Sequence, residues 1–200
     1  MKVALSKQNV ELRLLNGCLA GDRVVQEELY DRFSPTMFGI CLRYSSDYHT
    51  AEDLLQEGFI KVFRNLHKYR GDGSFEGWIR RIFVNTAIEN YRKLNNGVRI
   101  IELDCLYNQP LEANVLHDLA AEDLMRLVQK LPHGYRMAFN LYCIEGYSHK
   151  EIAEKLSVTE GTSKSQLARS KNYLKKLVQE QFENEEKSVE RTGRFVPEFS

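Results

Sequence analysis

The residues best placed for chemistry lie near the C-terminal end, where Thr159 precedes Glu160, Thr162, Lys164, Ser165, Gln166, Arg169 and Lys171. Apart from the Glu160 carboxylate, their side chains are hydroxyls, a carboxamide and cations, which hydrogen-bond to phosphates and base edges. Between Thr162 and Leu177 there is no acid at all, whereas a helix face that is merely solvated commonly mixes both signs. Lys164, Gln166 and Arg169 are the candidates for reading bases, and Thr162, Ser165 and Lys171 for positioning on the backbone. A second set runs through FEGWIRRIFVNTAIENYRK, where Phe75 and Trp78 are interleaved with Arg80, Arg81, Asn85, Arg92 and Lys93. Rings that stack on bases beside cations that track phosphates suit single-stranded nucleic acid. The same pattern also fits a core helix with snorkelling arginines. A third set, Glu52, Asp53, Gln56 and Glu57 with Phe59 and Lys61, offers carboxylates that can pair bidentately with arginines of a partner, or simply cap and solvate a helix.

Enzyme chemistry finds no comparable purchase. The five histidines, His49, His67, His117, His133 and His149, have no metal-ligand spacing, and no nucleophile, base and orienting group can be picked out. Cys18, Cys41, Cys105 and Cys143 are scattered without a Cys-x-x-Cys pair, so neither a zinc knuckle nor a redox couple is expected. Cys18, Cys41 and Cys143 stand among apolar neighbours and are expected as small buried hydrophobes. No catalytic residue, metal or cofactor is predicted.

The elements that must carry these side chains are helical throughout. Pro132 restricts the backbone before an apolar run, Met137, Ala138, Phe139, Leu141, Tyr142 and Ile144, which Gly146 ends. Ser148 with Glu151 three residues later has capping-box spacing, and Ile152, Ala153 and Leu156 follow on one face. Ser157-Val158 is a tight turn, Thr159 caps the next helix, and the pair reads as a helix-turn-helix whose recognition helix spans 159–174. Leu124, Leu127, Val128 and Leu131 supply a preceding helix at i, i+3, i+4 and i+7.

Further towards the N-terminus, residues 9–30 form a helix or helix pair around Gly17 and Gly21-Asp22. Pro35 is expected in the first turn of a separate helix. AEDLLQEGFIKVFRNLH is periodic from Ala51, with Leu54, Leu55, Phe59, Val62, Phe63 and Leu66 on one stripe, and its cap lies within SSDYHT. YRGDGS is a loop, and Ser74 caps the aromatic and arginine-rich helix.

The fold class is therefore all-α: two small helical domains, 9–94 and 120–178, joined by a flexible linker at 95–119. The second is a helix-turn-helix of the winged-helix-like, homeodomain-type helical superfamily. Residues 179–200 read as a loose tail into which the last helix extends to about Glu186. Formal net charge is zero over 200 residues. Divided by segment it is not: 51–100 carries nine Lys and Arg against six acids and 131–180 eight against five, while 101–130 has two against six. Two basic blocks with acidic stretches between and after them make a self-screened field, so unaided binding to duplex DNA should be weak. The N-terminus is broken by Lys7, Glu11 and Arg13, so neither a signal peptide nor a membrane-inserted segment is expected and the cytoplasm is the default location.

LPHGYRMAFNLYCIEGYSHKEIAEKLSVTEGTSKSQLARSKNYLKKL resembles the −35-reading domain of sigma-70 family factors, and more narrowly the extracytoplasmic-function (ECF) group. It departs at Ser163 and Ser170, where many relatives carry a small apolar residue facing the core, and at Gln166, often Arg. Residues 30–93 resemble the −10-reading domain of the same group through AEDLLQEGFIKVF, the Gly-x-Gly-Ser-Phe-x-x-Trp motif from Gly71 to Trp78, and Asn85, Ala87, Ile88 and Arg92. The resemblance to the ECF group implies that the long N-terminal autoinhibitory region of other sigma factors is not expected.

The resemblance implies a dissociable sigma subunit with three partners: RNA polymerase core enzyme, promoter DNA (duplex at −35, melted at −10) and an anti-sigma factor. Core polymerase would be gripped by Glu52, Asp53, Gln56, Glu57, Phe59 and Lys61. The −10 strand would be held by Lys68, Arg70, Asp72 and Ser74 of the loop and by Arg80, Arg81, Asn85 and Arg92. The −35 duplex would be read by Thr159, Thr162, Lys164, Ser165, Gln166, Arg169 and Lys171. A stand-alone helix-turn-helix regulator and a helical adaptor are the alternatives, and neither gives the N-terminal loop and arginine helix a reason to exist.

Overall fold

The computed structural model describes residues 2–95 and 121–192, with side chains over 9–94 and 123–181. It divides into two compact units, 1–100 and 101–200, and every regular element described is a helix. The expected linker, apart from Asn95, lies outside the described residues.

The first unit holds four helices. Helix α1 spans Lys2–Leu19 and α2 Arg23–Tyr44, joined at Gly21, whose φ of 78° suits glycine. Asp22 caps α2 by accepting from the amides of Val24 and Val25. Pro35 does not begin a new helix as its position had indicated. It sits inside α2, which continues unbroken to Tyr44. Leu29, Phe33, Met37, Ile40 and Cys41 bury one continuous stripe on both sides of it, so packing outweighs the missing hydrogen bond.

Helix α3 spans Tyr48–Asn65 and starts three residues before Ala51, because Asp47 provides the cap. The Thr50 amide and hydroxyl donate to the Asp47 carboxylate, the amide at 2.8 Å. A single 3-10 turn, Leu66–Lys68, leads into the loop, and α4 spans Phe75–Asn95 with Ser74 Oγ accepting from Gly77 N–H. Gly58 lets α3 and α4 meet closely: a Cβ there would lie 2.2 Å from Cε1 of Phe83.

The second unit holds α5 (Ala121–Gln129), α6 (His133–Phe139), α7 (His149–Leu156) and α8 (Glu160–Thr192), with one π-helical turn, Asn140–Ile144, extending α6. Leu127, Val128, Leu131, Phe139, Leu167, Leu174 and Val178 form its core. Arg136, nearly buried, donates to the carbonyls of Gln129 and Leu131 at 2.9 and 2.7 Å, so it satisfies the otherwise open C-terminal end of α5. The last helix, expected to extend into the tail to about Glu186, runs on to Thr192. Nothing in the chain ends α8 earlier, since neither Gly nor Pro intervenes before Gly193.

Candidate nucleic-acid interface

The helix-turn-helix forms as its sequence dictates. Ser148 Oγ accepts from the Glu151 amide, and the Glu151 carboxylate accepts from the Ser148 amide, completing the capping box. The hydrogen bonds that the Glu151 carboxylate accepts from the Ser148 amide and hydroxyl hold its carboxyl below the usual value. Ser157 then takes the left-handed conformation, φ 56°, which turns the chain into α8. Thr159 Oγ1 accepts from the Thr162 amide at 3.0 Å and contacts the Thr162 hydroxyl at 2.9 Å.

On α8, Thr159 and Lys164 are exposed and Thr162, Ser165, Arg169 and Lys171 half-exposed, with Ser165 Oγ donating to the Thr162 carbonyl. Lys164 lies 3.9 Å from Glu160, a surface pair of little energy. Gln166 corrects the sequence reading. It is 5 % exposed, and its Oε1 is buried without a hydrogen-bond partner. At three and four residues from Ser163 and Ser170, both fully buried, it shares their inward face, so base contact is left to its neighbours. Ser163 and Ser170 are satisfied there, by the His149 ring and by the Leu167 carbonyl.

In the first unit, Lys68, Arg70, Asp72 and Ser74 all lie exposed on the loop. Gly71 and Gly73, at φ 81° and 98°, give it its shape. Tyr69 fastens it: its hydroxyl donates to the Gly73 carbonyl at 2.9 Å, and its ring packs on Phe75 and Trp78. Burial, with Glu11 and Asp72 nearby, pushes the Tyr69 phenol up, so that proton stays on the staple. Sequence reasoning passed over Tyr69, whose only signal is an aromatic four residues before a loop glycine.

Phe75 is fully buried against Phe33 and stacks on half-buried Trp78, so Phe75 is core and not a platform for bases. Arg81 and Asn85, one helical turn apart on α4, are exposed, while Arg80 and Arg92 are half-buried.

The set on α3 divides. Glu52, Asp53 and Gln56 face solvent. Phe59 does not: it is buried between Tyr30 and Phe83, which corrects its expected role in partner contact. Glu57 and Lys61, both half-exposed, are also engaged within the unit. Lys61 Nζ lies 3.0 Å from Glu57 and 2.8 Å from Glu89, and Asn90 donates to Glu57 at 2.7 Å. Burial pushes the Glu57 carboxyl up, but the bonds from Asn90 and Lys61 and the charges of Lys61 and Lys93 outweigh it and bring it below the usual value. This network ties α3 to α4, and no local pattern marks Glu89 and Asn90 as the residues that close it.

Cys18 and Cys41 are buried as expected, and burial pushes the Cys41 thiol up to about 12. Cys143 is a correction: it lies exposed on the π turn, although its thiol is sheltered enough that burial raises it against the pull of Lys171. Among the described residues no cluster of three or more His, Cys, Asp or Glu could hold a metal, and no helix is long and apolar enough to cross a membrane.

A capped helix-turn-helix with a cationic outer face, together with a separate helical unit displaying a glycine-shaped basic loop, defines a DNA-binding protein with two candidate nucleic-acid surfaces. Comparison with known families makes the class specific. The model for Sigma-70 region 2 matches residues 29–96, and that for Sigma-70 region 4 matches residues 121–174. The ECF RNA polymerase sigma-E factor of Salmonella typhimurium is 30% identical over 191 residues, covering 88% of this chain and 97% of that protein. ECF RNA polymerase sigma factor SigW of Bacillus subtilis is 28% identical, covering 80% and 92%. ECF RNA polymerase sigma factor SigE of Mycolicibacterium smegmatis is 34% identical over 74% of this chain, which spans 60% of that relative's length. The chain belongs to the ECF subfamily of sigma-70 RNA polymerase sigma factors. It acts with RNA polymerase in promoter-specific transcription initiation and is not itself catalytic.

Proposed function

We propose that the two units divide promoter recognition between them. Thr162, Lys164, Ser165, Arg169 and Lys171 of α8 engage the major groove and flanking phosphates of the −35 duplex, with Thr159 at the helix start. The Lys68–Ser74 loop, with Arg80, Arg81, Asn85 and Arg92, holds the melted −10 strand. Polymerase core docks on the Glu52, Asp53 and Gln56 face of α3. The observation that carries this reading is the acid-free stretch of α8 from Thr162 to Leu177, borne on a helix-turn-helix whose turn and both caps are fixed by side-chain hydrogen bonds or a left-handed residue.

The protein works in the cytoplasm, where its polymerase is, and an anti-sigma factor restrains it, as is common in this family. Residues 9–94 and 120–178 are the functional domains. Purified protein added to core polymerase should yield discrete transcription starts when genomic fragments of its own organism are transcribed in run-off reactions. Starts identical to those of core enzyme alone would overturn the assignment.

A further inference from the structure

His149 opens α7, yet its ring belongs equally to the recognition helix. Nδ1 lies 3.0 Å from the Oγ of Ser163, a fully buried residue of α8. The ring stacks on Tyr142 of the π turn, with centroids 4.6 Å apart and planes 21° from parallel. Three pieces of the helix-turn-helix unit therefore meet at one imidazole. The charged groups around it are Lys164, Lys171 and Glu160, all on α8, with the Cys143 thiol near Lys171. Lys164 and Lys171 are also residues assigned above to DNA.

We propose that His149 is a proton-accepting positioning residue of the DNA-reading face: it anchors α8 through Ser163 and takes up a proton when Lys164 and Lys171 engage a phosphate backbone. This rests on the assignment of α8 to duplex DNA.

In the free protein, burial disfavours the imidazolium and Lys164 and Lys171 disfavour it further, against the smaller opposing effect of Glu160, so His149 is held below its ordinary value and is neutral at physiological pH. A phosphate backbone laid against the two lysines cancels their field at the ring and adds negative potential, which favours the cation. The anchor survives protonation because a serine hydroxyl either donates or accepts. Facing an unprotonated Nδ1 it donates, and facing Nδ1–H it accepts. Binding linked to proton uptake is tighter at lower pH, by about tenfold for each unit by which DNA raises the histidine.

The test uses the full chain and a short fluorescent DNA duplex of mixed sequence, at fixed low salt, with anisotropy read from about pH 8 to about 5.5, the range over which histidine charges. Parent protein should tighten as pH falls, and H149N, whose side-chain amide can still reach Ser163, should bind at high pH like the parent but tighten several-fold less. The His149 ring proton signals in NMR should titrate at higher pH with duplex than without. Equal pH slopes for parent and H149N, or an unmoved His149 titration, overturn the inference while leaving DNA binding by α8 intact. Absence of duplex binding by the parent at every pH overturns both.

Discussion

At the scale of single residues, buried polar groups decide more than the surface ones. Gln166 presents a carbonyl oxygen to the interior with no partner, and such a group costs about 1–3 kcal/mol. Q166L should therefore raise the urea midpoint of the second unit by about 1 kcal/mol equivalent and leave preference among −35 duplexes unchanged. A lost preference would show instead that the carboxamide leaves its pocket to read a base. Arg136 is the opposite case, because its guanidinium closes the end of α5 through two carbonyls. R136A should destabilise by about 2–3 kcal/mol, measured by thermal unfolding, and a change within experimental scatter would refute the cap. Asp47 adds a dependence on acid. The Thr50 amide, then the Ser46 and Thr50 hydroxyls, hold its carboxyl at about 2 from an ordinary 3.8. A folded value below the unfolded one means the contribution is complete above pH 3.8 and fades as pH falls towards 2. D47N should flatten the acid limb of stability seen by circular dichroism, and an unchanged limb would assign it to other groups. The Ser148-Glu151 and Thr159 caps were legible in sequence, since caps are local. Gln166 and Arg136 were not: one is polar on an inward face and the other charged within an apolar run, and only the packed helices show which way each points.

At the scale of elements, periodicity located the helices and packing set their limits. The α3 stripe of Leu54, Leu55, Phe59 and Val62 was read correctly as core, and for that reason Phe59 cannot also face a partner. Pro35 looked like a helix start because a proline most easily occupies a first turn, but burial on either side carried α2 through it. The join between α3 and α4 was illegible, because Gly58, Phe83, Glu57, Lys61, Glu89 and Asn90 are distant in sequence and meet only in the fold. Gly58 tests that join. In G58A a methyl group would overlap the Phe83 ring, which packs edge-on to Phe59 at 5.3 Å, so one helix must shift. The expected loss is about 1–3 kcal/mol, accompanied by weaker binding to core polymerase, because the Asp53 and Gln56 face rides on the displaced helix. An unchanged melting temperature would mean that the two helices separate freely at this point.

At the scale of the whole molecule, the two proposed DNA surfaces on one chain should make separable contributions to promoter opening. Unpairing the −10 region costs a few kcal/mol per extruded base, and the strand-holding surface must offset it. The −35 contact cannot lower that cost directly, because it touches duplex before and after melting; it raises occupancy and so brings the second surface to its site. With Phe75 buried and Trp78 half-buried against Tyr69, the strand-holding surface proposed above would consist chiefly of the loop, Arg81 and Asn85, with Arg80 and Arg92 at its edge. Permanganate footprinting of the −10 thymines in holoenzyme can distinguish the two roles. R70A, R81A and a K164A/R169A pair should each reduce opening of ordinary duplex promoter, once a promoter has been mapped. On a template with the −10 region already mismatched, melting is no longer required but the strand must still be held. R70A and R81A should remain deficient there, whereas K164A/R169A should approach the parent at high holoenzyme concentration. If R70A and R81A recover on the mismatched template as fully as K164A/R169A, the loop and α4 assist duplex binding or melting and do not retain the strand.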